Sequence, residues 1–508
     1  MTNWPMRPAT PSCLEPPADG SPWAPPLDTC DVVVRLETAG ITDTVARREY
    51  GYRNAWRLAE ACFPWLRMFP ASKVRECRPS ALVEYLKGLS FALPLGFCCL
   101  AMAVFHFSLW GGDVSAHLAA AVGLGTVSSF VTTGGVVQAM ARRGLFFLSV
   151  QDRATGEVVC WKWVRLGAAW LVICGLALLA PCRFYHWLPA PFDWIAFAFH
   201  MSLGLLWLAT GILHMLERNL WSAVATVFGV CSVVLLHRRL QVPLVGAQLT
   251  GIAVAAVFAF SASFVLFRSR CCGTVGRPRS LSQAFDLYLT WPHFLFGTLY
   301  FLLIFSDRLL AWTAPDISAD SPVQFRGDYE TALDLALIAF VLQVGRVRAS
   351  TVTFIRKIVR AQQQHGIDAR SEFTHQMRQA YLRSTAGFIL LGAAISAGLY
   401  LTISRVGAHF NPRSDTLLWA LLGGFLMVIG LWNSSLLFWL SLPVDVVSAI
   451  APAVAVDLVI GYLMSRFITY HYAIAGFSSG ACYFAVLTTR NLLRRLNSLD
   501  YYYFSSSI

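Results

Sequence analysis

Long apolar runs dominate this chain and restrict its fold more than any other feature. About twelve of them reach the length of roughly 18 to 25 residues that a helix needs to cross about 30 Å of hydrocarbon. Six lie in the first half, at Leu89 to Trp110, His117 to Met140, Leu166 to Cys182, Trp194 to Leu216, Leu220 to His237 and Val242 to Phe267. Six lie in the second half, at Leu289 to Trp312, Tyr329 to about Phe354, Thr385 to Ile403, Leu417 to Leu440, Val446 to Met464 and Tyr472 to Thr489.

The runs are helical rather than strand-like. Spans such as LLGGFLMVIGLWNSSLLFWL are rich in Gly and Trp and show no period of two, which indicates closely packed helices rather than barrel strands. A mean hydropathy of +0.56, with 56% hydrophobic and 13% charged residues, lies outside the range of soluble chains. We therefore predict an all-α polytopic membrane protein with about twelve transmembrane helices in two six-helix halves.

The distribution of Lys and Arg predicts the orientation. With the amino end inside, 32 of the 40 Lys and Arg residues lie on the inner side of the membrane, as the positive-inside rule requires. Both termini are therefore predicted to be cytoplasmic. Topology and contact with anionic lipid account for the net charge of +12, so nucleic acid is not expected as a partner.

The loops and composition divide the chain into five regions. Residues 1–80 form a cytoplasmic N-terminal region, with a Pro-rich tail that is predicted to be disordered and then one amphipathic helix in TDTVARREYGYRNAWRLAEACFPWL. Residues 81–267 form the first six-helix half, and residues 268–284 a basic cytoplasmic linker. Residues 285–490 form the second half, and residues 491–508 a cytoplasmic tail.

Motifs for catalysis, metals or cofactors are weak. The 13 cysteines include no CxxC pair and are expected to be free thiols. His200 and His214 share a helix face, but a haem site needs a second helix with a matching pair, which the sequence lacks. It also contains no P-loop, nucleophile elbow or HExxH motif. We expect no cofactor, no metal and no catalytic site, and predict that the protein is not an enzyme.

Transport remains as the function class that fits. The two halves are separated by the basic loop FRSRCCGTVGRPRS, and each half opens with a helix that carries an early proline, Pro94 or Pro292. Proline-broken helices at corresponding places are typical of repeat-built transporters. Ordinary tolerated kinks are the alternative.

Charged residues within spans are candidates for a substrate path. Asp307 and Arg308 are adjacent on a helix and point about 100° apart, so each needs its own partner. We expect Arg308 to lie over Trp312 and reach the outer headgroups, and Asp307 to form an outer gate, with Arg405 as a possible partner. Arg346 and Arg348 either snorkel to cytoplasmic headgroups or line an inner vestibule. Glu330 and Asp334 complete the hypothetical path.

Three segments carry a resemblance to a known family. GTLYFLLIFSDRLLAW (297–312), DYETALDLALIAF (328–340) and RNLLRRLNSLDYYYF (490–504) resemble the PelG-like inner-membrane transporters of the Pel exopolysaccharide, within the polysaccharide, oligosaccharidyl-lipid and multidrug flippase superfamily. The resemblance covers about four fifths of the chain, from about Ala92 onward.

The resemblance implies transport of a growing exopolysaccharide across the bacterial inner membrane, where the chain would be a multi-pass protein. Its implied partners are a cytoplasmic glycosyltransferase and small inner-membrane scaffold proteins of a biofilm exopolysaccharide machinery. Two alternatives stay open. The chain could be a scaffold that anchors the synthase, or a coupled exporter of a small molecule or lipid-linked sugar with the same fold.

Overall fold

The all-α prediction is confirmed by a computed structural model of the chain. The structure describes residues 26, 28–66, 80–92, 94, 97–98, 114–149, 152–268, 283–315, 322–364, 370–406 and 414–499. Within these ranges the chain forms helices and contains no strand. The predicted Pro-rich tail and most of the basic linker and C-terminal tail lie outside the described residues.

Fifteen α-helices are described, and we number them in chain order. Four short helices come first: α1 (Thr29–Thr38), α2 (Asp43–Tyr50), α3 (Ala55–Leu66) and α4 (Ala81–Leu89). The long helices that follow are α5 (Ala116–Ser149), α6 (Arg153–Phe184), α7 (Phe192–Met215), α8 (Asn219–Val234), α9 (Leu244–Arg268), α10 (Gln283–Trp312), α11 (Gly327–Gln364), α12 (Arg370–Val406), α13 (Ser414–Trp439), α14 (Pro443–Phe467) and α15 (Ile474–Leu496).

Most of the predicted spans correspond to one helix each. Ten helices in the described part of the chain, α5 to α14, are long and apolar enough to cross a membrane. The first predicted span, Leu89 to Trp110, lies almost entirely outside the described residues. The last, Tyr472 to Thr489, coincides with α15 (Ile474–Leu496), which is helical but is not among the ten.

The prediction of one amphipathic helix near the amino end is wrong. Two helices, α2 and α3, occupy this stretch, and α2 ends at Tyr50 with Gly51 as its C-cap. The backbone of Gly51 has a φ of 76°, a left-handed conformation that glycine adopts without a steric penalty. Thr42 is the N-cap residue of α2 but makes no capping hydrogen bond through its side chain.

The described residues form two compact units. The first unit contains α1 to α3, residues 352–364 of α11, residues 370–383 of α12 and residues 496–499. Its core includes Val32, Leu36, Leu58 and Cys62, all fully buried. The second unit holds the rest of the described helices. The five linear regions predicted from the sequence stay a prediction.

Helix α5 is the centre of the second unit. Its most apolar window is 72% buried, more than that of any other candidate span described, and it packs most extensively against α7 and α10. Glycines allow the contact with α10, because a Cβ at Gly134 would collide with Phe301 and a Cβ at Gly135 with Thr298. Close approach at small residues is typical of helix packing in membranes.

Both prolines singled out in the sequence are buried and helical. Pro292 lies inside α10. Pro94 is one of few described residues in its predicted span. That they kink their helices at a transport path stays a prediction.

Candidate functional site

Charged and polar side chains gather where α10 ends and α11 begins. Four of these side chains belong to predicted substrate-path residues. A further carboxylate, which the sequence analysis did not single out, comes from α14. We call this group the α10–α11 charge cluster, and its members are Ser306, Asp307, Arg308, Trp312, Tyr329, Glu330, Asp334 and Asp457.

Asp307 faces α11. Its side chain is 1% exposed, and its Oδ2 atom accepts a hydrogen bond of 2.7 Å from the hydroxyl of Tyr329. Among the described residues no group hydrogen-bonds to its other oxygen, Oδ1. Arg405, the partner that the sequence suggested for Asp307, is exposed. The partner that the structure shows is Tyr329.

Arg308 turns inward rather than toward headgroups, which corrects the expected position of this side chain. It is buried and donates to Oε2 of Glu330, and its other terminal nitrogen lies 3.6 Å from Oδ1 of Asp334. Its guanidinium lies over the ring of Phe305, at 5.6 Å from the centroid, and not over Trp312. Burial beside carboxylates costs a guanidinium less free energy than a position against lipid does.

Trp312 holds the second oxygen of Glu330. Its indole Nε1 donates to Oε1 of Glu330 at 2.9 Å, so both carboxylate oxygens of this buried residue are satisfied. The indole ring is fully buried against α5, where a Cβ on Gly123 would lie 2.7 Å from it. Trp312 thus joins the end of α10 to α11 and packs against α5, a helix of the first half.

Asp457 joins the cluster from α14, although sequence reasoning did not single it out. It is fully buried and accepts a hydrogen bond from Ser306, the neighbour of Asp307. Its Oδ1 atom also has no hydrogen-bond partner in the described part of the chain. The available signal was a single carboxylate inside the apolar run AVAVDLVIGYL, since ionisable residues inside membranes are commonly functional.

The cluster contains more acidic than basic groups, and one side of it is open. Its four carboxylates are Asp307, Glu330, Asp334 and Asp457, and its basic group is Arg308, which pairs with Glu330 and Asp334. Three of them are almost completely buried, whereas the side chain of Asp334 is 58% exposed. Since Asp334 lies two turns inside a candidate span, an exposed carboxylate there is stable only beside water.

The two remaining predicted residues, Arg346 and Arg348, lie far along α11 from this cluster. The guanidinium of Arg348 forms ion pairs with Glu84 of α4, at 3.3 Å, and with Glu217 of the loop between α7 and α8, at 3.1 Å. Arg346 lies over the ring of Phe388, at 4.9 Å from its centroid. Arg348 therefore has protein partners rather than the headgroup contact that snorkelling would give.

Glu84 is nearly buried between two cations. Lys87 Nζ lies 3.1 Å from one carboxylate oxygen, and Arg348 approaches the other. Burial alone raises the pKa of Glu84, but hydrogen bonds from Lys87 and Arg348 outweigh it, so the pKa lies below its ordinary value. The carboxylate stays charged at neutral pH and joins α4 to α11.

A second ion cluster joins the halves at the same predicted cytoplasmic end. Asp286 of α10 is buried between Arg143 of α5, at 2.9 Å, and Lys162 of α6, at 3.0 Å. Both cations come from the first half, whereas the carboxylate comes from the second. The α10–α11 charge cluster and these two inner clusters thus lie at opposite ends of the membrane helices.

Comparison with known proteins shows the fold to be that of a class of transporters. No protein-family model matches the chain, and no curated protein matches it. Solved structures do, among them an outward-facing multidrug resistance MATE family transporter of the MOP superfamily, at a TM-score of 0.57 and 15% identity over 83% of this chain and 97% of that one.

Two further structures agree with the first. A MOP superfamily transporter from Pyrococcus furiosus matches with a TM-score of 0.56 and 15% identity over 83% of this chain and 97% of that one. A eukaryotic MATE transporter matches with a TM-score of 0.57 and 13% identity over 82% of this chain and 99% of that one. The fold is therefore MATE-like, with two six-helix halves, as predicted. The three solved structures that share this fold are described as transporters.

Proposed function

We propose that this chain transports a growing exopolysaccharide, of the Pel-like type, across the bacterial inner membrane. The observation that supports this proposal is that the α10–α11 charge cluster is open on one side. Arg308 holds a buried Glu330 on one side and an exposed Asp334 on the other. The exposed carboxylate of Asp334, with the guanidinium of Arg308 behind it, is suited to sugar hydroxyls, which need both donors and acceptors.

A cytoplasmic glycosyltransferase would supply the polymer, and small membrane scaffold proteins would complete the machinery. The resemblance of the segments at 297–312 and 490–504 to PelG-like transporters supports these partners. The MATE-like fold supports movement of a substrate between two halves. Arg346 and Arg348 mark the predicted cytoplasmic entry.

The test replaces one exposed carboxylate and uses another as the control. Asp334→Asn removes the charge beside Arg308, whereas Asp328→Asn removes a similarly exposed charge, 52% against 58%, from the same helix end. Polymer secreted by cells that carry the synthase should fall at least about tenfold with Asp334→Asn, at unchanged membrane abundance. Asp328→Asn should secrete normally.

Normal secretion by Asp334→Asn would contradict the proposal. A scaffold that conducts nothing predicts the same secretion phenotype only if the synthase no longer binds. Transport of a labelled polymer by the purified chain in proteoliposomes separates the two, because a scaffold alone moves no polymer.

A second candidate function is a cation-coupled exporter of a small molecule or lipid-linked sugar. Asp307 and Asp457 favour it, because each is buried with one carboxylate oxygen that lacks a partner among the described residues. A proton or a monovalent cation would satisfy such oxygens. This function requires no synthase, and an imposed proton or sodium gradient should drive transport that Asp457→Asn abolishes.

A further inference from the structure

Four aromatic side chains form a continuous stack beside the α10–α11 charge cluster. Phe130 of α5 lies 4.4 Å from Trp207 of α7, 5.2 Å from Phe301 and 5.3 Å from Phe305 of α10, measured between ring centroids, with stacked planes. We call these four residues the aromatic column. Arg308 lies over the last ring, that of Phe305, so the column ends at the charged groups.

The column lies at the junction of the two halves. Trp207 and Phe130 come from the first half, whereas Phe301 and Phe305 come from the second. Repeat-built transporters bind their substrates at such junctions. Phe130 moreover belongs to α5, which is the most buried of the candidate spans described and is packed against α6, α7 and α10.

The four rings are not fully buried, in contrast to a sealed core. Each is of intermediate exposure. Thr298, Phe301, Phe305 and Leu309 of α10 are half-buried and stand three or four residues apart, which places these four side chains on one helix face. That face ends one turn from Arg308 and its exposed partner Asp334.

A polar group within the column has no partner. The indole Nε1 of Trp207 is buried and finds no acceptor among the described residues. A buried N–H group without an acceptor is unfavourable, and buried Trp side chains usually satisfy this donor. A ligand with hydroxyl groups would supply the missing acceptor.

We propose that the aromatic column is a sugar-binding platform, which rests on the proposed function. A pyranose ring has an apolar face of C–H groups and a rim of hydroxyls. The C–H face stacks on the electron-rich faces of the aromatic rings, and the hydroxyls accept from Trp207 Nε1 and bond to Arg308 and Asp334. Stacking requires an uninterrupted C–H face but no fixed hydrogen-bond geometry, so the platform lets successive residues of a polymer slide.

The experiment measures sugar binding by the purified full-length chain in lipid nanodiscs. The probes are two soluble tetrasaccharides, one of a neutral hexose and one of an N-acetylhexosamine. Calorimetry measures the affinity of the chain for each. Phe305→Leu and Trp207→Leu should weaken binding of at least one tetrasaccharide about tenfold. Phe305→Tyr keeps the ring and should bind within about twofold of the unchanged chain. Trp207→Phe keeps a ring but removes the N–H donor, so its affinity should fall between the two.

A matched control comes from an aromatic stack elsewhere. Phe228 and Phe258 stack at 4.9 Å on α8 and α9, outside the column, and Phe228→Leu should leave the affinity unchanged. Thermal unfolding of every variant shows whether the fold is retained. Equal affinity of Phe305→Leu, Phe228→Leu and the unchanged chain would overturn the proposal, as would a lack of binding to both tetrasaccharides.

The outcome is separable from that of the proposed function. If Asp334→Asn secretes polymer normally but Phe305→Leu weakens binding, the export function fails and the sugar platform stands. If Asp334→Asn abolishes secretion while Phe305→Leu and Trp207→Leu bind and secrete normally, the platform fails and the export function stands.

Discussion

Arg308 has two carboxylate partners that differ in their surroundings. Glu330 is 2% exposed and shares its second oxygen with Trp312, whereas Asp334 is largely exposed. Removal of a buried partner leaves an uncompensated charge inside the protein. Removal of an exposed partner leaves a group that water still solvates. Glu330 is therefore the partner on which stability depends, whereas Asp334 is the partner that a substrate of the proposed kind would reach.

Glu330→Gln should accordingly destabilise the protein far more than Asp334→Asn. We expect Glu330→Gln to lower the free energy of unfolding by about 3–5 kcal/mol and Asp334→Asn to lower it by less than about 1 kcal/mol. The side chain of Gln retains an acceptor for Trp312, so the comparison isolates the charge. Thermal unfolding in one detergent measures both variants, and equal shifts would show that the two ion pairs are equivalent.

At the scale of single residues, the sequence predicts part of the candidate site. Helix geometry correctly predicts that Asp307 and Arg308 find separate partners, Tyr329 and Glu330. It does not reveal Asp457, because that contact joins residues 151 positions apart. The sequence predicts Arg308 at the headgroups, since a single sequence shows its charge but not the carboxylates that compensate for it.

Helix α4 crosses α11 at a pair of glycines. A Cβ on Gly88 would lie 2.6 Å from the backbone oxygen of Gly345, so the two backbones are in direct contact. Beside them, the hydroxyl of Tyr85 donates to the carbonyl oxygen of Leu342 at 3.0 Å. This crossing brings Glu84 to Arg348 at the predicted cytoplasmic end.

Gly88→Ala should disturb this crossing. Because the obstacle is backbone rather than a flexible side chain, the added methyl forces the helices apart, and we expect a loss of about 1–3 kcal/mol of stability. Gly398 of α12 offers the control, since nothing lies within 4 Å of a Cβ built there. Gly398→Ala should be neutral or stabilising by up to about 1 kcal/mol. Melting temperatures that fall equally for both variants would rule out the crossing as the cause.

The sequence predicts long helices better than short ones. Apolar length alone identifies the ten long helices, because lipid imposes the same requirement on each. The sequence does not predict the break between α2 and α3, although Gly51 is a common C-terminal signal, because the apolar pattern continues across it. The pairing of α4 with α11 depends on contacts 257 residues apart, which periodicity does not encode.

The orientation of the whole molecule stays a prediction with a direct test. On a Cys-free background, a cysteine at position 277 should be protected from an impermeant thiol reagent added outside intact cells. A cysteine at position 320 should react, because the segment between α10 and α11 is predicted to be outside. Labelling at 277 and protection at 320 would reverse the orientation and exchange the inner and outer clusters.

For the whole molecule, both inner ion clusters join one half to the other. Arg348 of the second half meets Glu84 of the first, and Asp286 of the second half meets Arg143 and Lys162 of the first. Transporters with two halves expose a site to each side in turn by relative motion of the halves. These pairs would therefore have to separate whenever the predicted cytoplasmic end opens.

A cleavable cross-link across one pair should stop the transport cycle. On the Cys-free background, Glu84→Cys with Arg348→Cys, joined by a short reducible bis-maleimide, should lose polymer secretion and regain it after reduction. Asp445→Cys with Arg495→Cys is the matched control, since this pair, at 2.7 Å, joins α14 and α15 within the second half. The control should secrete with its cross-link in place, because no motion between halves is blocked. Secretion by the cross-linked Glu84 and Arg348 variant at the level of its reduced form would mean that the halves do not separate at this end.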